Sequence, residues 1–153
     1  MKKYIFMIIA ALAVASCDIE TSDNGKLDGY WHLERVDTLA TGGSADYSSQ
    51  LAFWGTQYHL IALRDLGQTG HKRFYLRFQQ TADSLNITEA YEDHWHEDNQ
   101  NDEVGGDIPV EAVSDDLRFY GINNLPEGFA KERLDGSRMV LRSKTLRLTF
   151  RKF

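Results

Sequence analysis

From residue 27 onward, apolar side chains recur at every second position in short runs. This is the period of a strand whose successive side chains face opposite sides of a sheet. Leu27, Trp31 and Leu33 share one face of Leu27-Asp28-Gly29-Tyr30-Trp31-His32-Leu33, and Phe74, Leu76 and Phe78 share one face opposite Arg73, Tyr75 and Arg77. Leu85 with Ile87, and Leu117 with Phe119, continue the pattern. It is clearest at residues 145–151, where Leu146, Leu148 and Phe150 alternate with Thr145, Arg147, Thr149 and Arg151, the pattern of a half-buried antiparallel strand.

Turn formers punctuate these runs at Gly42-Gly43, Leu66-Gly67-Gln68-Thr69-Gly70, Thr81-Ala82-Asp83-Ser84, Asn123-Asn124-Leu125-Pro126-Glu127-Gly128 and Asp135-Gly136-Ser137. Asp135-Gly136 is the strongest hairpin signal among them. No stretch beyond the first residues carries the period of an amphipathic helix. About eight to ten short strands at regular turn spacing predict an all-β sandwich or barrel, and a meandering barrel has the advantage of leaving no exposed edge.

The first 26 residues follow another logic. Lys2 and Lys3 precede an uncharged run over residues 4–15 and then Ser16-Cys17, the three-part form of a secretory signal. The run is shorter than the ~20 apolar residues that a permanent spanning helix needs, so cleavage is expected. Val14-Ala15-Ser16-Cys17 resembles the lipobox of bacterial lipoproteins, in which the cysteine thiol receives lipid, and Cys17 is the sole cysteine of the chain. The expected organisation is a signal peptide over 1–16, an acylated flexible leader over 17–26 and one domain over 27–153. Several acyl chains would hold the protein on its membrane, because each buried methylene contributes ~0.8 kcal/mol.

Loss of residues 1–16 removes two lysines and no acid, so the formal charge of −6 becomes −8. That balance speaks against nucleic acid as a partner. The acids Asp18, Glu20 and Asp23 lie in the leader, where an acidic stretch resembles the sorting signal of some Gram-negative lipoproteins destined for the outer membrane or cell surface. The expected location is therefore the outer membrane, facing the periplasm or the exterior.

Gly29-Tyr30-Trp31 resembles the Gly-x-Trp opening of lipocalins. Together with Phe53-Trp54-Gly55-Thr56-Gln57, Met139-Val140-Leu141-Arg142-Ser143 and the closing run 146–153, it makes residues 27–153 similar to a small lipocalin-like family of Gram-negative lipoproteins. The resemblance implies an antiparallel up-and-down, calycin-like barrel of about eight strands, with the opening tryptophan packed across one end. It brings no catalytic residues. The stretch 92–116 departs from the simple pattern as a long acidic insertion, and loops of that length are often functional or disordered.

Three sets of residues carry candidate chemistry. Trp31, Phe53, Trp54, Tyr58, Phe74, Phe78 and Phe119 supply aromatic side chains that either line a cavity for a small hydrophobic ligand or fill it, since a barrel of about eight strands has room for one or the other. His94 and His96 flank Trp95 among Glu92, Asp93, Glu97 and Asp98. On a strand both imidazoles share a face, and the set suits zinc or copper or else forms a solvated loop. Asp115-Asp116 read as turn formers beside a strand start. No nucleophile elbow, phosphate-binding glycine loop or metalloprotease helix occurs, so no enzyme and no cofactor are expected. The leading expectation is a membrane-anchored binding protein for a small hydrophobic ligand or a partner protein. The alternatives are an accessory subunit that docks on an envelope complex through 92–116, and metal capture by His94 and His96.

Overall fold

Ten strands and one short helix make up the computed structural model, which describes residues 22–94 and 106–153. A 3-10 turn over Gly25–Leu27 leads into β1 (Gly29–Thr38), β2 (Gly43–Asp46), β3 (Ala52–Gln57), β4 (Leu60–Asp65), β5 (Phe74–Gln80) and β6 (Ser84–Glu92). These are followed by β7 (Ile108–Pro109), the helix α1 (Asp115–Phe119), β8 (Glu127–Leu134), β9 (Arg138–Arg142) and β10 (Leu146–Lys152). Every pairing is antiparallel, and β10 returns to β1 with a register running from Trp31 opposite Lys152 to Thr38 opposite Leu146. Eight strands, β1, β3, β4, β5, β6, β8, β9 and β10, thus close a barrel. The short β2 pairs with the second half of β1, and β7 pairs with the end of β6.

Closure follows from the alternation. Leu146, Leu148 and Phe150 of β10 point inward while Arg147 and Arg151 point outward, and Phe74, Leu76 and Phe78 do the same for β5. The hairpins at Gly42-Gly43, 81–83 and Asp135-Gly136 fall where the turn residues predict them. Burying 23 apolar side chains in one cluster, among the described residues, is the main stabilising term, at ~1.5–3 kcal/mol for each large side chain.

The registers give the barrel two distinct ends. The start of β1, the β3–β4 turn, the β5–β6 turn and the β8–β9 turn meet at one end, because Gly29 pairs with Thr56, Leu60 with Arg77, Ser84 with Ala130 and Arg151 with Arg138. The leader enters here, and Leu27 closes this end by accepting a 2.7 Å hydrogen bond from the Trp31 indole. At the other end lie the β4–β5 loop, the β9–β10 turn, α1 and the visible ends of the acidic insertion.

Two expectations need correcting. Leu117 and Phe119, spaced like strand neighbours, sit on α1. The Ser114 hydroxyl caps the helix by accepting the Leu117 amide, and Asp115 and Asp116 occupy the first turn, where the helix dipole favours acids. They are helix formers here, not turn residues before a strand. Leu27 lies in the 3-10 turn, not on β1, though it is fully buried as its apolar character requires.

Candidate functional site

Four strands place two rows of side chains one residue apart on opposite sides of the barrel wall. In the inner row Trp31 pairs with Trp54, Trp54 with Leu63 and Leu63 with Phe74. In the outer row Tyr30 pairs with Gly55, Gly55 with Ala62 and Ala62 with Tyr75. The inner row is large at every position; the outer row has two small residues between two tyrosines.

The inner row and its neighbours fill the barrel. Trp31, Leu33, Trp54, Leu63, Leu76, Tyr120, Leu148 and Phe150 are each 0% exposed, so no water-sized space touches them from solvent or from an internal void. Trp54 packs on Phe150 and Phe129 with ring centroids 5.0 and 6.1 Å away. Its indole N–H donates to the Tyr120 carbonyl at 3.0 Å, and the Tyr120 hydroxyl donates to the Lys72 carbonyl at 2.9 Å. Tyr120 and the residues before it on α1 therefore plug the end away from the leader. Burial there pushes the Tyr120 phenol far above its ordinary range.

Of the seven aromatic candidates, Trp31, Trp54, Phe74 and Phe78 are interior packing, and Phe119 stacks on the His71 imidazole at 3.7 Å beside α1. Phe53 points outward, because its neighbours Ala52 and Trp54 take the inward positions of β3. It is buried under His32 and Phe153, at 4.8 and 5.5 Å between centroids, and burial lowers the pKa of His32. Tyr58 lies in the β3–β4 turn at φ 53° and is 41% exposed. The aromatic set thus fills the barrel instead of lining a cavity in it.

The outer row forms the floor and walls of an open trough of about 830 Å³. Gly55 and Ala62 are its floor. The Tyr30 ring lies against Gly55 so closely that a Cβ there would come within 2.7 Å of it. Tyr75 forms the far wall, three strand spacings or ~14 Å away, held by a 2.6 Å hydrogen bond from Arg64, whose guanidinium sits 4.6 Å over the ring. Tyr58 and Leu60 close one end and Ser22 and Asp28 the rim, and the lining is mostly apolar. Ser22 donates to Asp28 at 2.7 Å and accepts the Tyr58 amide at 2.9 Å, while the Asn24 side-chain amide donates to the Tyr58 carbonyl. The leader is therefore clamped to the trough where it enters the barrel.

Sequence reasoning placed Tyr30 and Tyr75 on strands but gave them no role. The available signal was Gly55 and Ala62, small residues within otherwise bulky strands, but which strands pair and in what register is not written in any one segment.

Cys17 and His96 lie outside the described residues. His94 follows β6, its amide 3.4 Å from Asp107 Oδ1, and the ion pairs nearby join Asp93 to Arg64 and Arg73, and Glu92 to Lys72. Among the described residues no three His, Cys, Asp or Glu side chains are grouped to hold a metal ion. No helix among them is long and apolar enough to cross a membrane.

The closed eight-strand meander, with its tryptophan across one end, agrees with a family model described as a lipocalin-like domain, which matches residues 11–153. The chain belongs to the lipocalin-like domain family. Among solved structures, the lipocalin-like chain is similar to a lipocalin-like protein from Bacteroides uniformis, at 21% identity and a TM-score of 0.57, over 84% of this chain and 100% of that one. It is similar also to an uncharacterized protein from Bacteroides eggerthii, at 21% identity and a TM-score of 0.56, over 82% and 98%. At such identity the likeness is one of fold. No curated protein matches the chain.

Proposed function

We propose that this protein is a non-enzymatic binding lipoprotein, acylated at Cys17 and held at the outer membrane, and that it takes a small hydrophobic ligand in the trough on its outer wall. The observation that carries the binding reading is the outer row Tyr30, Gly55, Ala62 and Tyr75 with its concavity of about 830 Å³, a size typical of small-molecule sites, beside an interior without room. The support for anchoring is the lipobox-like Val14-Ala15-Ser16-Cys17.

The binding reading is tested with the mature chain carrying Cys17→Ser, titrated with an apolar fluorophore of the phenylnaphthylamine type. Saturable binding is expected. Ala62→Trp, which fills the trough from an outward position, should weaken it at least about tenfold, equivalent to ~1.4 kcal/mol. Lack of saturable binding, or equal binding by the two chains, would overturn the reading. Intact mass of the mature protein from its own membranes tests the anchor.

A second reading is favoured by the two ends of the barrel. The acidic insertion leaves the fold after β6 and rejoins it at β7, at the end away from the leader, so on an anchored chain its points of attachment lie on the end turned away from the anchor, where an envelope protein is proposed to dock. Capture of the same partner with and without residues 95–105 tests it. Loss of the partner on deletion supports docking, and unchanged capture removes it.

A further inference from the structure

We infer that the trough face rests against the bilayer that carries the lipid anchor, so that the partner of this surface is the lipid interface and the trough draws its ligand from the membrane. The inference rests on acylation of Cys17 and goes beyond it by assigning a face.

Reach is the first argument. Ser22 is the fifth residue after Cys17, and a chain spans at most ~3.6 Å per residue, so Ser22 lies within ~18 Å of the acylated position. Ser22 and Asn24 are hydrogen-bonded to the backbone of Tyr58, which ties the exit point to the β3–β4 turn and the trough rim. The opposite end is a further strand length away, ~25–30 Å for strands of seven to ten residues. A short leader attached at the trough leaves little freedom to turn another end toward the membrane.

Surface chemistry is the second. Tyr30, Tyr58, Leu60 and Phe153 are 39, 41, 40 and 80% exposed and lie at this end; Leu51, Leu66 and Ile108 are exposed at the other end, but Tyr30, Tyr58 and Leu60 are the ones that line the trough. The Phe153 amide donates to the Tyr30 carbonyl at 2.9 Å, and Tyr58 and Leu60 flank the β3–β4 turn. Tyrosine, with an apolar ring and a polar tip, suits the level of the headgroups. Ion pairs occupy neighbouring and more distant parts of the outer wall: Arg151 with Glu34 at 2.7 Å borders this end on β10 and β1, and Arg147 with Glu132 at 2.6 Å joins β10 to β8 toward the opposite end. The trough and the point where the leader joins the barrel thus coincide.

The test uses full-length acylated protein in phosphatidylethanolamine–phosphatidylglycerol vesicles containing a lipid with a headgroup nitroxide. Acylation consumes the thiol of the sole natural cysteine, so an introduced cysteine is the only free thiol for a fluorophore. Leu60→Cys reports the trough rim. Ser137→Cys reports the same end across the barrel, and Lys144→Cys the β9–β10 turn at the opposite end. Several-fold stronger quenching at Leu60 than at Lys144, with Ser137 between, is the expected result. Equal quenching at all three positions, strongest quenching at Lys144, or quenching at Ser137 equal to that at Leu60 would overturn the assignment. Intact mass, read on the same samples, reports failure of acylation separately. Fluorophore binding to the Cys17→Ser chain without rim quenching leaves the binding reading standing and removes the membrane-facing one.

Discussion

Trp54 and Gly55 are consecutive, yet they belong to surfaces with opposite construction. Inside the wall, Trp31, Trp54, Leu63 and Phe74 meet with almost no exposed surface; outside it, Tyr30 and Tyr75 stand apart over Gly55 and Ala62. A strand that alternates faces lets one segment do both, because every second position is free of the demands of the core. The open volume of this wall lies on the outside, where losing side-chain bulk costs little packing. Inside, a hole of the same size would cost contacts in every direction.

The largest expected effect breaks the inner row. Trp54→Ala should lower stability by ~3–5 kcal/mol, read as a fall in denaturant midpoint, because it leaves a void and strands the Tyr120 carbonyl. Two glycines then sharpen the contrast. Gly121 has φ +85° and a Cβ there would come within 2.8 Å of Leu148, so Gly121→Ala should cost ~2–4 kcal/mol. At Gly55 the nearest atoms to an added Cβ belong to the exposed ring of Tyr30, which has solvent to move into, so for Gly55→Ala the same denaturation should show a loss below about 1 kcal/mol, with trough binding altered. Equal losses at the two positions would erase the distinction between a filled inside and an adjustable outside.

Smaller effects belong to the outer wall. Tyr75→Ala should leave stability within about 0.5–1 kcal/mol and weaken fluorophore binding severalfold, since it removes a wall and not a core residue. On the charged side, Arg147→Ala severs pairs to Glu132 and Asp37 and should cost ~0–1 kcal/mol, less at high salt, without touching binding.

The pH dependence of His32 is smaller still. Burial against Phe53 lowers its pKa from 6.5, with the Arg151 charge adding to the shift and Glu34 opposing it. The unfolded chain therefore binds the proton more readily, and the stability associated with neutral His32 is lost as pH falls below about 6.5 toward the folded value. His32→Phe should reduce the drop in Tm between about pH 7.5 and about pH 5.5. An unchanged drop would remove His32 as its source.

The fold was legible because its strands alternate on their own, as β5 and β10 do, and because Asp135-Gly136 and Gly42-Gly43 mark hairpins locally. The helix α1 was not, because Leu117 and Phe119 keep a two-residue spacing and five residues are too few to display a helical period. Its real signature was Ser114 followed by Asp115 and Asp116, a capping signal that alternation masked. Phe53 illustrates a second limit. Ala52, Phe53 and Trp54 are all apolar and all buried, so β3 has no polar side to tell inside from outside. The trough was hidden for a third reason: its four key residues come from four strands, and only the register brings Tyr30, Gly55, Ala62 and Tyr75 into line.

The clamp between Ser22, Asn24 and Tyr58 also sets how strong any lipid contact has to be. On an anchored chain, a leash of four residues between Cys17 and Ser22 holds the rim at an effective concentration in the millimolar range with respect to the surface. An intrinsic dissociation constant near 1 mM, about −4.1 kcal/mol, is then enough to keep the barrel oriented. The rim can accordingly be only modestly apolar, as two tyrosines and a leucine are, and a chain released from its anchor would leave the membrane while the anchored one stays aligned on it.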